Sequence, residues 1–276
     1  MSGPTASEIS IRLDFARDAA LDAARIILGF YQDAGLAVER KRDASPVTIA
    51  DRRAEQAIRE GIAKYFPHDG VLGEEFGETP GTSGFRWILD PLDGTKSFIH
   101  GTPLFGTLIG VEHLGRCVVG VCNFPVLNEM AWGSVGGGAW WRKGSDEPRP
   151  ARVSNVSELS QALFCFTTVQ GFSKVGRPDA FEKLIASAGL ARGWGDCYGH
   201  ILVATGRADV MVDAQMNPWD AAALVPIVQE AGGCFMDWNG ETSINSGNGI
   251  SVNAALREQV LSITRVASGG REPPGG

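Results

Sequence analysis

Apolar residues recur at Ile9, Leu13, Ala16, Ala20, Ala24, Ile27 and Tyr31. Steps of three and four predict an amphipathic helix. The capping box Thr5-x-x-Glu8 opens it, and it is expected to end near Gly35. A basic stretch over 39–42 and the break Ser45-Pro46 follow. A second helix then carries the stripe Ala50, Ala54, Ala57, Ile58, Ile62 and Tyr65, and Phe66-Pro67-His68-Asp69-Gly70 stops it. From there the texture changes to strands, expected at 71–73, 85–89, 104–112, 116–124 and 129–132. Gly136-Gly137-Gly138 reads as a loop, and 143–150 as a polar one.

The second half alternates. Strands are expected at 162–168, 208–212, 234–238 and 250–252. Helices are expected at 178–188, opened by Pro178, at 196–205, at 219–231 and at 254–266. Gly232-Gly233 closes the third of these, and Pro226 inside it predicts a kink. These patterns divide the chain into sub-domains 1–150 and 151–267 and a Gly/Pro-rich tail, 268–276, expected to be disordered.

Composition narrows the picture. The length of 276 residues fits one large domain or two intimate ones. Lys and Arg number 25 against 32 Asp and Glu, a net charge of −7. That speaks against nucleic acid or an anionic membrane as partner, since both demand a basic face. No apolar run reaches about 18 residues, so no membrane span is expected. The first ten residues lack a basic segment leading into an apolar core, so no signal peptide is expected. Five cysteines without a C-x-x-C pair suit reduced thiols and the cytoplasm.

The chemistry concentrates in Trp87-Ile88-Leu89-Asp90-Pro91-Leu92-Asp93-Gly94-Thr95. A hydrophobic strand is expected to end in two aspartates three apart, stiffened by proline. Such carboxylates can share hard cations such as Mg²⁺; an Asx-rich turn is the plain alternative. Glu74 follows another short strand and can equally be a solvated loop charge. Asp220, after Pro218-Trp219, can equally cap a helix beginning at Ala221. Together these acids sit where α/β active sites are assembled. Gly94 and Thr95 open a short helical segment whose free N–H groups would cradle phosphate. Carboxylates alone repel a phosphate dianion; divalent cations reverse the sign.

Asp90-Pro91-Leu92-Asp93-Gly94-Thr95, with Gly73-Glu74-Glu75 before it and Trp219-Asp220 and Glu230-Ala231-Gly232-Gly233 after it, resembles the inositol monophosphatase superfamily over about residues 8–265. These are Mg²⁺-dependent, lithium-sensitive phosphomonoesterases. The resemblance implies an α/β (α+β) fold, a layered α/β/α/β/α sandwich with the site between its sub-domains, and a homodimer. It implies two to three Mg²⁺ ions held by Glu74, Asp90, the Leu92 carbonyl, Asp93 and Asp220. It also implies a phosphate cradle at Gly94 and Thr95, and Thr95 with Asp51 orienting a metal-activated water for direct attack. From spacing alone, Asp51 is a surface charge.

Within the superfamily, residues 96–108 and Met216-Asn217-Pro218-Trp219-Asp220-Ala221-Ala222-Ala223 resemble the branch acting on histidinol phosphate in histidine biosynthesis. Asp196, Asp213 and Asn217 stand where the superfamily touches the rest of its substrate. An ammonium and an imidazole suit acids there. The plain alternatives are a helix N-cap for Asp196 and a turn after a strand for Asp213. An inositol- or sugar-phosphate phosphatase stays open as the alternative activity. A non-catalytic phosphoester-binding protein on the same fold is the alternative of another class. Trp140-Trp141 reads as packing at a strand edge or an oligomer contact, and His200 as a satisfied polar side chain.

Overall fold

The computed structural model describes residues 3–40 and 46–265. Helix α1 (Ala6–Leu28) carries the Thr5–Glu8 capping box. It stops at Gly29, six residues before Gly35, because the chain turns there and Tyr31 donates its hydroxyl proton to the Gly101 carbonyl, 2.5 Å away. Strands β1 (Val38–Arg40) and β2 (Pro46–Thr48) form a small antiparallel ribbon leading into α2 (Ile49–Tyr65). Next come β3 (Gly70–Gly73), β4 (Gly77–Thr79), β5 (Phe85–Asp93), the short α3 (Thr95–Ile99), β6 (Gly106–His113), β7 (Arg116–Phe124), β8 (Glu129–Ser134), β9 (Gly138–Lys143) and β10 (Arg149–Pro150). These strands form an eight-stranded sheet ordered β10-β9-β8-β7-β6-β5-β3-β4, parallel only between β3 and β5.

The remaining elements are β11 (Leu163–Phe166), α4 (Val169–Lys174), α5 (Pro178–Ser187), β12 (Leu190–Arg192), α6 (Asp196–Ala204), β13 (Val210–Asp213), α7 (Pro218–Ala221), α8 (Leu224–Glu230), β14 (Gly233–Met236), β15 (Gly249–Asn253) and α9 (Arg257–Thr264). Their strands make a second sheet ordered β12-β11-β13-β15-β14. Five layers result: α1 and α2, the large sheet, α6 to α8, the small sheet, then α4, α5 and α9. The layered α/β/α/β/α sandwich is therefore present. The tail from 268 lies outside the described residues.

Several expectations need correction. The strand expected to end at residue 89 continues to Asp93, and its pairing with β6 shifts register between Asp90 and Asp93. Pro91 is tolerated there because a bulge asks no ladder bond of its missing N–H. The helix expected over 219–231 is two, α7 and α8, broken at Ala222 and Ala223. A proline ring clashes with the carbonyl four residues earlier, and for Pro226 that residue is Ala222. The expected polar loop over 143–150 ends in β10, which pairs with Trp140 and Trp141 on β9. The first half also holds the unanticipated β1, β2, β4 and β9, and the second half α4 and β12.

One contact sets the middle of the stack. Gly110, Gly120 and Gly133 lie side by side on β6, β7 and β8. A Cβ on Gly120 would stand 1.9 Å from the Ala223 carbonyl oxygen, and one on Gly110 2.7 Å from the Ala222 Cβ. A Cβ on Gly133 would lie 2.9 Å from the Ile227 Cα. The α7–α8 segment therefore rests backbone against backbone on a glycine row. On the opposite face, Arg12 of α1 forks onto Asp69 with two bonds of 2.9 Å. Asp69 also accepts from the Trp87 indole N–H at 2.9 Å and the Ser83 hydroxyl at 2.6 Å. That buried pair ties α1 to the entry of β5.

Candidate active site

The bulge in β5 determines where the acids go. Asp90 is buried at the last regular pair with β6, and Asp93 stands where pairing resumes. Asp220 arrives from α7, seated on the glycine row, and one oxygen of each of these three carboxylates lies within 4.8 Å of the others. They line a cleft of about 200 Å³ together with Glu74, Leu92, Gly94, Thr95, Lys96, Asp196, Asn217 and Pro46. Larger hollows exist elsewhere, one of 550 Å³ between α1 and α2, but none of the converging acids reaches it.

Hydrogen bonds fix these groups. Asp90 Oδ1 accepts from the Leu92 N–H at 3.0 Å. Asp93 Oδ2 accepts from the Cys197 N–H at 2.7 Å, so the first turn of α6 reaches across to β5. Asp220 Oδ2 accepts from the Asn217 main chain at 2.7 Å and from its side-chain amide at 3.3 Å. Asp220 is thus not the cap of a helix at Ala221; it lies inside α7, whose N-cap is Asn217.

Crowding and burial act on the charges. Burial, then Glu74, Asp93, Asp220 and Asp51, raises the Asp90 carboxyl well above its ordinary range. Asp93 is pushed up to about 7, by burial first and then by Asp220. Asp220 is likewise pushed up to about 7, chiefly by burial. Acids this close, one buried and two half-buried, resist ionising together without a cation between them. An all-oxygen, highly charged donor set fits a hard divalent ion such as Mg²⁺.

Beside the cluster stands a hydroxyl–carboxylate pair. Thr95 Oγ1 lies 3.4 Å from Asp51 Oδ1 and 3.1 Å from the Leu92 carbonyl oxygen. Asp51 is buried, which overturns its reading as a surface charge. Its Oδ2 accepts from the Thr48 N–H at 2.8 Å and the Thr48 hydroxyl at 2.6 Å. Thr48 was not singled out in the sequence, yet Thr48-x-x-Asp51 has capping-box spacing and was there to be read. Gly94 has φ +81°, and a Cβ on it would lie 3.0 Å from the Leu104 carbonyl oxygen and 3.3 Å from Asp196 Oδ2.

Asp196 is the first residue of α6, not its N-cap, and holds φ +52°. Left-handed backbone at a non-glycine residue costs on the order of 1 kcal/mol or more. Asp213 ends β13, paired with Gly249 and not in a turn, and lies outside the lining of the cleft. It is 3.3 Å from His200 Nε2, and His200 Nδ1 is 2.7 Å from the Ser251 hydroxyl. His200 is fully buried with both nitrogens engaged, as its reading as a satisfied polar side chain required. Trp141 packs under the guanidinium groups of Arg149 and Arg207.

Acids converging on a cleft beside a held hydroxyl, inside a five-layered sandwich, define a metal-dependent phosphoester hydrolase. The chain matches the model of the inositol monophosphatase family over residues 10–268, and it belongs to that family. It is 46% identical over 261 residues to a histidinol-phosphatase of Chlorobaculum parvum, covering 94% of this chain and 98% of that protein. A histidinol-phosphatase of Mycobacterium tuberculosis is 36% identical over 85% of this chain and 89% of its own. Among solved structures, the extragenic suppressor protein suhB of Bartonella henselae superposes with a TM-score of 0.85 at 30% identity, over 93% of this chain and 99% of that one. An inositol monophosphatase of Zymomonas mobilis does so at 0.81 and 34%, over 95% and 99%.

Proposed function

We propose that the protein is a histidinol-phosphatase, hydrolysing L-histidinol phosphate to L-histidinol and phosphate. The observation that carries the substrate is the 46% identity, spread over 94% of the chain, to a protein of that activity. Glu74, Asp90, Asp93, Asp220 and the Leu92 carbonyl would hold the metal, for which we propose Mg²⁺, two to three ions per site. Bound there, it would neutralise the acids, draw in phosphate oxygens and make a ligated water more acidic.

The chain's own residues supply the rest. The Thr95 hydroxyl has one proton and two acceptors in reach. Given to Asp51, that proton leaves the oxygen lone pairs of Thr95 free to accept from the attacking water and aim it. Asp51 suits the task because Thr48 holds its other oxygen. Gly94 is the N-cap of α3 and Thr95 its first residue; the first N–H groups there lack helical partners and would serve phosphate oxygens. Asp196 and Asn217, on the cleft lining, are assigned to the ammonium and imidazole of the substrate, with Asp213 behind them adding negative charge. No cysteine is offered as nucleophile: burial pushes the Cys117 and Cys165 thiols up to about 12 and raises the Cys197 thiol well above its ordinary range. The homodimer and lithium inhibition rest on the family resemblance, and the cytoplasmic setting on cysteines that suit reduced thiols.

The test is phosphate release from histidinol phosphate and from myo-inositol monophosphate, each with Mg²⁺ and with excess EDTA. Mg²⁺-dependent turnover with a preference for histidinol phosphate is expected. A preference for inositol monophosphate would hand the assignment to the alternative, and full activity in EDTA would end the metal reading.

A further inference from the structure

Glu55 is a carboxylate that the mechanism does not use. It lies on α2 one turn after Asp51 and is fully buried. Its Oε2 accepts from the Glu75 N–H at 2.8 Å, and its Oε1 from the Phe76 N–H at 3.2 Å. Arg59, one turn further, donates its Nε to Glu55 Oε1 at 2.7 Å. Arg59 also reaches the Thr79 hydroxyl at 3.2 Å and the Gly77 carbonyl. Glu55 and Arg59 thus grip the turn between β3 and β4 from inside, and that turn begins with Glu74. On its other side, the Glu74 N–H donates to the Leu89 carbonyl at 3.2 Å, one residue before Asp90. The fit leaves no slack, since a Cβ on Gly73 would stand 2.0 Å from Glu55 Oε1.

A buried carboxylate is costly, and α2 had a cheaper choice in an apolar residue. What the carboxylate gains is two main-chain N–H groups of the turn, neither of which belongs to the β3–β4 ladder on either side of it. We infer that Glu55 is a positioning residue for the metal centre: by clamping residues 75 and 76 against α2, it sets where Glu74 presents its carboxylate to Asp90 and Asp220. The inference rests on reading Glu74 as a metal ligand. One helix face then sets two parts of the site, Asp51 toward Thr95 and Glu55 toward the Glu74 turn.

The test is Mg²⁺ binding, read by titration calorimetry on the EDTA-treated full-length protein, with circular dichroism as the check on folding. In Glu55→Gln an NH₂ replaces one acceptor and opposes an N–H or Arg59. Loss of such an outer partner typically weakens metal binding about 10- to 100-fold. That loss is expected with the spectrum unchanged, and kcat should recover at saturating Mg²⁺. Gly73→Ala, which displaces the same carboxylate from the far side, should reproduce it, and it carries the test if Glu55→Gln does not fold. Wild-type affinity in the folded variants, or a lowered melting temperature with affinity intact, overturns the inference. Asp90→Asn separates the two readings: if it binds Mg²⁺ like the wild type, the metal site itself has been misplaced.

Discussion

At the scale of single residues, the site depends on which atom holds which proton. Thr95→Ala deletes the hydroxyl between Asp51 and the Leu92 carbonyl, and kcat should fall by about 10²–10⁴, as for other positioned proton relays. Asp51→Asn should act on the same step, so the double variant should be little worse than either single one. Fully additive losses in steady-state assays would separate the two residues. Asp213 allows a sharper comparison. Asp213→Asn keeps an acceptor for His200 but removes a charge, and should cost about 1.5–3 kcal/mol in kcat/KM for histidinol phosphate. Little change is expected with p-nitrophenyl phosphate, which has no cationic group. Equal losses on both esters would remove Asp213 from substrate recognition.

At the scale of elements, the parts legible in the sequence were those with a sustained period. Helices α1 and α2 and strands β6 to β8 announce themselves by apolar repeats of helical spacing or by long apolar runs. Short edge elements such as β4 and β12 hold too few residues to establish a period. Asp90, Asp93 and Asp220 could be picked out because acids break apolar surroundings. Asp51 and Glu55 were hidden for the opposite reason. A charge on a helix reads as solvent-facing, although both share the inner face with Ala54, Ile58 and Ile62. The glycine row was equally invisible, since only the pairing of strands brings Gly110, Gly120 and Gly133 together. Gly120→Ala should destabilise the protein by about 1–3 kcal/mol, the usual cost of overpacking, in denaturant melts. Because the displaced element carries Asp220, Mg²⁺ affinity should fall as well. An alanine there with unchanged stability would mean that α8 does not lie on the sheet as described.

At the scale of the whole molecule, the acids work against the fold until a cation joins them. The folded-state values near 7 for Asp93 and Asp220 exceed the ordinary 3.8. The folded protein then holds protons that the unfolded chain releases. Stability from this source is complete below the ordinary value and is lost as pH climbs from about 4 through 7. Metal-free Asp93→Asn should therefore melt above the metal-free wild type at pH 7.5, and the gap should close toward pH 4. With Mg²⁺ present the order should reverse, because the wild type then gains binding energy that the variant lacks. A gap independent of pH in calorimetric scans would show that these acids are not strained in the folded state. The same molecule-wide view fits the described helices, none of which is long and apolar enough to cross a membrane.

The glycine row also bears on how the sequence can drift. Interlocking side chains transmit each other's changes in volume, so a site mounted on them shifts whenever the core is repacked. Asp220 is mounted differently, because its helix meets the sheet through main-chain atoms whose dimensions are common to all proteins. Substitutions around α5 and α9, whose core includes no residue of β5, can accumulate with little effect on the spacing of Asp90, Asp93 and Asp220. The burden of keeping the chemistry in register falls on three positions with no side chain to vary. A library that varies Phe172, Leu184 and Val260 of the outer core among apolar residues should therefore retain activity more often than one that varies Gly110, Gly120 and Gly133.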